Sequence, residues 1–75
     1  MSGLPVISVK ELLNIVKKVG YEIDHQTGSH IILRNVQAPY RRLTIPNHKE
    51  IAKGTLRTII RESGLTLEEF ITLLK

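Results

Sequence analysis

The apolar residues of this chain change their spacing once, at Gly20, and that change restricts the fold more than any other feature. Before Gly20, Val9, Leu12, Leu13, Val16 and Val19 recur at steps of three and four, the stripe of an amphipathic helix. Ser8 and Glu11 have the spacing of a capping box, in which hydroxyl and carboxylate satisfy reciprocal N–H groups at a helix start. Gly20 tolerates the left-handed backbone that ends a helix. The first helix is therefore expected from Val9 to Val19.

From Tyr21 the period is two. Tyr21, Ile23 and His25 alternate with Glu22 and Asp24, which predicts a strand with those three on its buried face. Gln26-Thr27-Gly28 supplies a turn, and a second strand runs from Ser29 to Asn35. In it Ser29, Ile31 and Leu33 share one face, while His30, Ile32 and Arg34 share the other. Val36 to Pro39 forms a loop before a third strand, Tyr40 to Ile45, with Arg41, Leu43 and Ile45 on one face and Pro46 as its stop. Asn47 to Lys53 reads as a polar loop. Leu56, Ile59 and Ile60 mark a second helix that stops near Gly64. Thr66 and Glu69 repeat the capping-box spacing, opening a last helix with Leu67, Phe70, Ile71 and Leu74. A three-stranded antiparallel meander with helices on one face, an α+β fold, buries these stripes in one core. With no repeat or linker in 75 residues, a single domain over 1–75 is expected.

Charge points toward a partner. Eleven Lys and Arg against seven Asp and Glu leave a net charge of +4, which on so small a domain favours a polyanion, nucleic acid first and an acidic protein second. Lys53, Arg57 and Arg61 are spaced by four, along one edge of the second helix. A solvated helix face is the plainer reading of such a row; the functional one is a set of phosphate contacts that position a nucleic acid without reading its sequence. Tyr21, Tyr40 and Phe70 are the only aromatic residues, few for recognition by stacked bases. The absence of cysteine excludes disulfides and thiolate metal sites. Met1 to Val9 lacks the segments of a secretory signal, and no apolar run nears the roughly 20 residues that span a bilayer, so a soluble cytoplasmic protein without membrane contact is expected.

Three histidines remain: His25, His30 and His48. Without cysteine or a helical His-x-x-x-His pair, no metal site is expected, and no cofactor. A Ser-His-Asp hydrolase is not expected either, because neighbours on a strand point to opposite faces, separating Ser29 from His30. His30 stands out. It belongs to the face of the second strand opposite Ile31 and Leu33, and it follows Gly28, where a bare backbone admits a close ligand. Imidazole exchanges protons near neutrality, and RNA carries its own nucleophile in the 2′-hydroxyl. One well-placed acid or base can therefore assist RNA cleavage with no protein nucleophile and no metal. A plain surface histidine is the reading that competes with this.

Gly28-Ser29-His30 resembles the Gly-Ser-His signature of the HicA (YcfA-like) toxins. Ile45-Pro46-Asn47-His48, followed by Lys53-Gly54-Thr55-Leu56-Arg57-Thr58-Ile59-Ile60-Arg61, is similar to that family's second block, and Ser8 to Gly20 with Gly20-Tyr21 to its opening helix and first strand. The resemblance spans nearly the whole chain. It departs from the commonest pattern after His30, where Ile31 stands in place of a frequent second histidine and Ile32-Leu33 lacks an aromatic.

The resemblance implies a double-stranded-RNA-binding-domain-like α-β-β-β-α(α) fold, endoribonuclease activity on mRNA, a HicB-like antitoxin as partner, and no DNA contact by the toxin itself. The catalytic histidine carries over to His30, while His48 matches a recurrent family histidine that supports the loop or contacts RNA. Gly28, Ser29, Lys53, Arg57 and Arg61 are then expected beside the RNA; independently of the resemblance, Arg34, on the same strand face as His30, is expected to stabilise charge on the reacting phosphate. A non-catalytic RNA-binding module on the same fold is the alternative, and a protein-docking domain a third reading.

Overall fold

A computed structural model describes residues 4–74; 1–3, part of the opening stretch read above, and 75 lie outside the described residues. The chain enters through a short strand β1 (Ile7–Ser8) and passes into helix α1 (Val9–Lys18). The capping box forms as its spacing predicts: Ser8 Oγ accepts from Glu11 N–H at 3.1 Å, and Glu11 Oε1 accepts from Ser8 N–H at 2.9 Å. Val9, Leu12, Ile15 and Val16 are the buried stripe, with Leu13 and Val19 at its margin. Ile15, absent from the stripe read in the sequence, is at its centre.

Gly20 has φ +101°, and a Cβ there would meet Asn35 Oδ1 at 2.9 Å. Both facts require glycine at this corner. The chain then builds β2 (Tyr21–Gln26), β3 (His30–Asn35) and β4 (Arg42–Pro46), one antiparallel sheet in the order β2-β3-β4. Ile31, Leu33, Leu43 and Ile45 face the core from the two inner registers.

The α+β fold class with helices on one face is as expected, but β2 departs from its alternation. Ile23 lies opposite Leu33 and His25 opposite Ile32, so two steps on β2 match one on β3, with Asp24 as the extra residue of a bulge. A bulge reverses the sense in which later side chains point. His25 is thereby turned away from the core, correcting the expectation of a buried face shared with Tyr21. Ile23 stays 43% exposed, because α2 packs over β4 at the other side of the sheet and α1 covers only part of β2. Tyr21 alone of the three is buried, and its hydroxyl donates to Ser63 O at 3.0 Å. Burial pushes its phenol up from the ordinary value.

The polar loop expected after Pro46 contains a second short strand, β5 (Glu50–Ile51), paired with β1 through Ile7–Ile51 and Ser8–Glu50. This ribbon ties together the starts of α1 and α2 and buries both isoleucines. α2 (Lys53–Ser63) begins a turn before the Leu56 stripe, and Gly64 ends it in the left-handed region at φ +86°. A Cβ on Gly64 would meet Arg41 Nε at 3.2 Å, which places the end of α2 beside the start of β4. The helix therefore runs antiparallel to β4. Its C-terminal carbonyls favour the nearby guanidinium, which explains why Arg41 is not a core residue despite its place in the alternation. α3 (Leu67–Leu74), capped by Thr66 and Glu69, buries Phe70 and packs on α1.

Candidate active site

The sheet has one face under helices and one open. On the open face β3 presents His30, Ile32 and Arg34, as its alternation predicts: His30 and Arg34 are exposed and Ile32 is half-buried. Strand pairing assigns their neighbours. His30 lies opposite Pro46, Ile32 between His25 and Thr44, and Arg34 between Glu22 and Arg42.

His30 sits at the tip of the β2–β3 hairpin, held by its own backbone. Thr27 N–H donates to His30 O at 2.9 Å, and His30 N–H donates to Thr27 Oγ1 at 3.0 Å, leaving Gly28 and Ser29 as the turn. A Cβ on Gly28 would touch nothing within 4 Å, so its glycine is not demanded by packing. Ser29 is outside the strand, in the turn. Alternation does not apply to it there, and Ser29 Oγ stands 3.1 Å from His30 Nδ1. The expected separation of this hydroxyl from the imidazole is thus incorrect: the two are hydrogen-bonded, with the proton's position set by the imidazole tautomer.

Asn47 N–H donates to Ser29 O at 2.9 Å, which draws the loop carrying the exposed His48 against the same hairpin tip. Gly28, Ser29, His30 and the start of the His48 loop are therefore one locality. Arg34 belongs to another: four residues of strand place it about 13 Å from His30 along β3. It is the register partner of Arg42, and its guanidinium approaches Asp24 at 3.9 Å. Like charges directly opposite on a sheet are unfavourable, and here Glu22, across from Arg34 on β2, and the Asp24 carboxylate stand beside the pair. Arg42 alternates with Leu43, which puts it on the open face, whereas Arg41 lies just before the strand.

Lys53, Arg57 and Arg61 occupy successive turns of α2 and are all exposed. They lie on the helix layer, across the sheet from His30. Because α2 runs antiparallel to β4, Lys53 is at the Pro46 end with the hairpin tip and Arg61 about 12 Å further, near Arg41. The structure thus brings Lys53 toward the His30 end and leaves Arg57 and Arg61 away from it.

His25 is the residue sequence reasoning missed. Its Nδ1 stands 3.0 Å from Asp24 Oδ2, with His25 more than half exposed on the open face. The hydrogen bond from His25 holds the Asp24 carboxyl below its usual range, aided by the charges of Arg34, His25 and Arg42. Among the described residues no three His, Asp or Glu side chains are grouped as a metal ion would require, and no helix is long and apolar enough to cross a membrane.

Three antiparallel strands with helices on one face, in this order, form a double-stranded-RNA-binding-domain-like fold, here with histidines on its uncovered side. Residues 9–65 match the family model described as HicA toxin of bacterial toxin-antitoxin. The chain belongs to that family and is the toxin of a toxin–antitoxin system, a membership that implies a cognate antitoxin. The curated proteins give no match.

Proposed function

We propose that this toxin is a metal-independent endoribonuclease acting on mRNA in the cytoplasm, with His30 as a proton-transfer residue. The 2′-hydroxyl of the substrate attacks the adjacent phosphorus, the bond to the 5′-oxygen breaks, and the products are a 2′,3′-cyclic phosphate and a 5′-hydroxyl. The protein's part is to remove one proton, supply another and hold the strand in line. The observation that carries this reading is the exposed imidazole of His30 at a hairpin tip, hydrogen-bonded to Ser29 and beside an unobstructed Gly28.

Within this reading Gly28 and Ser29 admit the ribose-phosphate backbone, and Lys53 and His48 contact it near the hairpin tip. Arg34, with Arg42, holds a phosphate removed from the one cleaved, since its distance from His30 is too large for both to serve one phosphorus. Arg57 and Arg61 engage RNA that continues over the helix layer. A HicB-like antitoxin that covers the open face blocks His30 and the Arg34–Arg42 pair together, and the toxin's net charge of +4 favours an acidic partner.

Purified toxin and its His30→Ala variant incubated with RNA in EDTA test the proposal. The wild type is expected to release a 2′,3′-cyclic phosphate and to spare a 2′-deoxy linkage, while the variant is slowed by about 10²- to 10⁴-fold with an unchanged melting temperature. Equal rates for the two proteins remove His30 from the mechanism. The Arg34–Arg42 row supports a second reading, an RNA-binding module without chemistry, which is favoured by salt-sensitive binding with no product on long incubation.

A further inference from the structure

The bulge at Asp24 has a chemical consequence on the open face. His25 lies directly opposite Ile32, and Thr27 opposite His30, so His25 and His30 are diagonal neighbours on the same face of adjacent strands. Diagonal positions in an antiparallel pair stand roughly 7–8 Å apart, within reach of side chains of this length. With about 3 Å of hydrogen-bond reach on each side, two imidazoles so placed leave room for one phosphodiester between them. Had β2 kept its alternation, His25 would point into the helix layer.

The pairing with Asp24 orients this second imidazole. A carboxylate at neutral pH only accepts hydrogen bonds, so the proton between Asp24 Oδ2 and His25 lies on Nδ1. The neutral ring is thereby held with the lone pair of Nε2 free, and the carboxylate stabilises the imidazolium that forms when Nε2 takes a proton. Among the described residues no carboxylate pairs with His30; its Nδ1 partner is the Ser29 hydroxyl. The two rings are therefore chemically distinct. A bulge also blunts the exposed edge of a sheet, and β2 is an edge strand. Edge protection, however, asks only for an irregularity, not for an imidazole beside His30.

We infer that His25 is a second catalytic residue, the general base that removes the 2′-hydroxyl proton, with Asp24 as its positioning residue and His30 as the acid that protonates the departing 5′-oxygen. The inference rests on the ribonuclease reading above. Protons balance: one passes from the 2′-oxygen to His25 Nε2, one from His30 to the 5′-oxygen, and solvent exchange restores both rings.

The assignment is tested with full-length toxin and two model substrates, an ordinary RNA linkage and one in which the bridging 5′-oxygen is sulfur. A thiolate leaves without protonation, so only the acid becomes dispensable. On the ordinary linkage His25→Ala and His30→Ala are each expected to lower kcat by about 10²- to 10⁴-fold, the usual worth of a positioned acid or base. On the sulfur linkage His30→Ala should recover most of its rate and His25→Ala should not. Asp24→Asn should reduce kcat less than His25→Ala, and add no further loss in the His25→Ala background, where a merely structural role would add. All three substitutions are at exposed positions, and circular dichroism checks that the variants fold. An inactive wild type overturns the ribonuclease reading itself. An active wild type with an undiminished His25→Ala, or a His25→Ala variant rescued by sulfur, overturns the role of His25 alone.

Discussion

Ser29 Oγ lies 3.1 Å from His30 Nδ1, one residue before the strand that carries the imidazole. Among the described residues this hydroxyl is the hydrogen-bond partner of the ring, and it favours one ring orientation. Ser29→Ala is expected to lower kcat about tenfold, the kinetic equivalent of roughly one hydrogen bond, without moving the melting temperature. Ser29→Thr, which keeps the hydroxyl, should restore most of the rate. A variant lacking the hydroxyl that cuts RNA as fast as wild type would show that the bond is incidental.

The phenol of Tyr21 is the buried tie between sheet and second helix, across 42 positions of sequence. Tyr21→Phe leaves the Ser63 carbonyl without that donor and is expected to cost about 1–3 kcal/mol. Thermal melts should fall by about 4–8 °C per kcal/mol. The pH dependence supplies a second measure. A phenol raised in the folded state contributes stability in full below its ordinary value of 10.0, and loses it as pH rises from there through the folded value. The stability of wild type should therefore fall in that alkaline window more than that of Tyr21→Phe; parallel curves would contradict it.

Two glycines should answer the same substitution in opposite ways. Gly20→Ala meets both a backbone at φ +101° and the Asn35 amide at 2.9 Å, so a loss of about 1–3 kcal/mol is expected by chemical denaturation. Gly28→Ala meets open space and should leave stability within about 0.5 kcal/mol. If RNA approaches the bare backbone at this turn, the added methyl instead raises KM. A Gly28→Ala protein with unaltered kinetics would move the RNA path away from the turn.

Arg34 and Arg42, opposed across β3 and β4, are expected to act on binding and not on chemistry. Replacing either with Ala should reduce the slope of log affinity against log salt by about 0.7, the value for one phosphate contact on a single strand. The rate at saturating RNA should stay unchanged. A fall in kcat with the salt slope intact would assign the arginines to the cleaved phosphate after all.

Much of the fold could be read residue by residue. The α1 stripe, both capping boxes, the stop at Gly20 and the alternation of β3 are local patterns, and each appears where the spacing puts it, because helix and strand periods are set by backbone geometry within a few residues. His30 on the uncovered face followed from that alternation alone. Ile51 was lost in a stretch read as polar loop, since a two-residue strand has no period to detect and exists only because Ile7 comes to pair with it.

The orientation of His25 belongs wholly to the tertiary level. Tyr21 to His25 carries a clean alternation, yet Asp24 is squeezed out of the ladder when β2 pairs with β3, and everything beyond it changes face. Likewise Ile23 is apolar and still exposed, because which strand a helix covers depends on packing between distant segments. Hydrophobic spacing is written along the chain and can be read there. Register and coverage arise only when separated stretches meet, and in this protein that meeting sets two imidazoles on one surface.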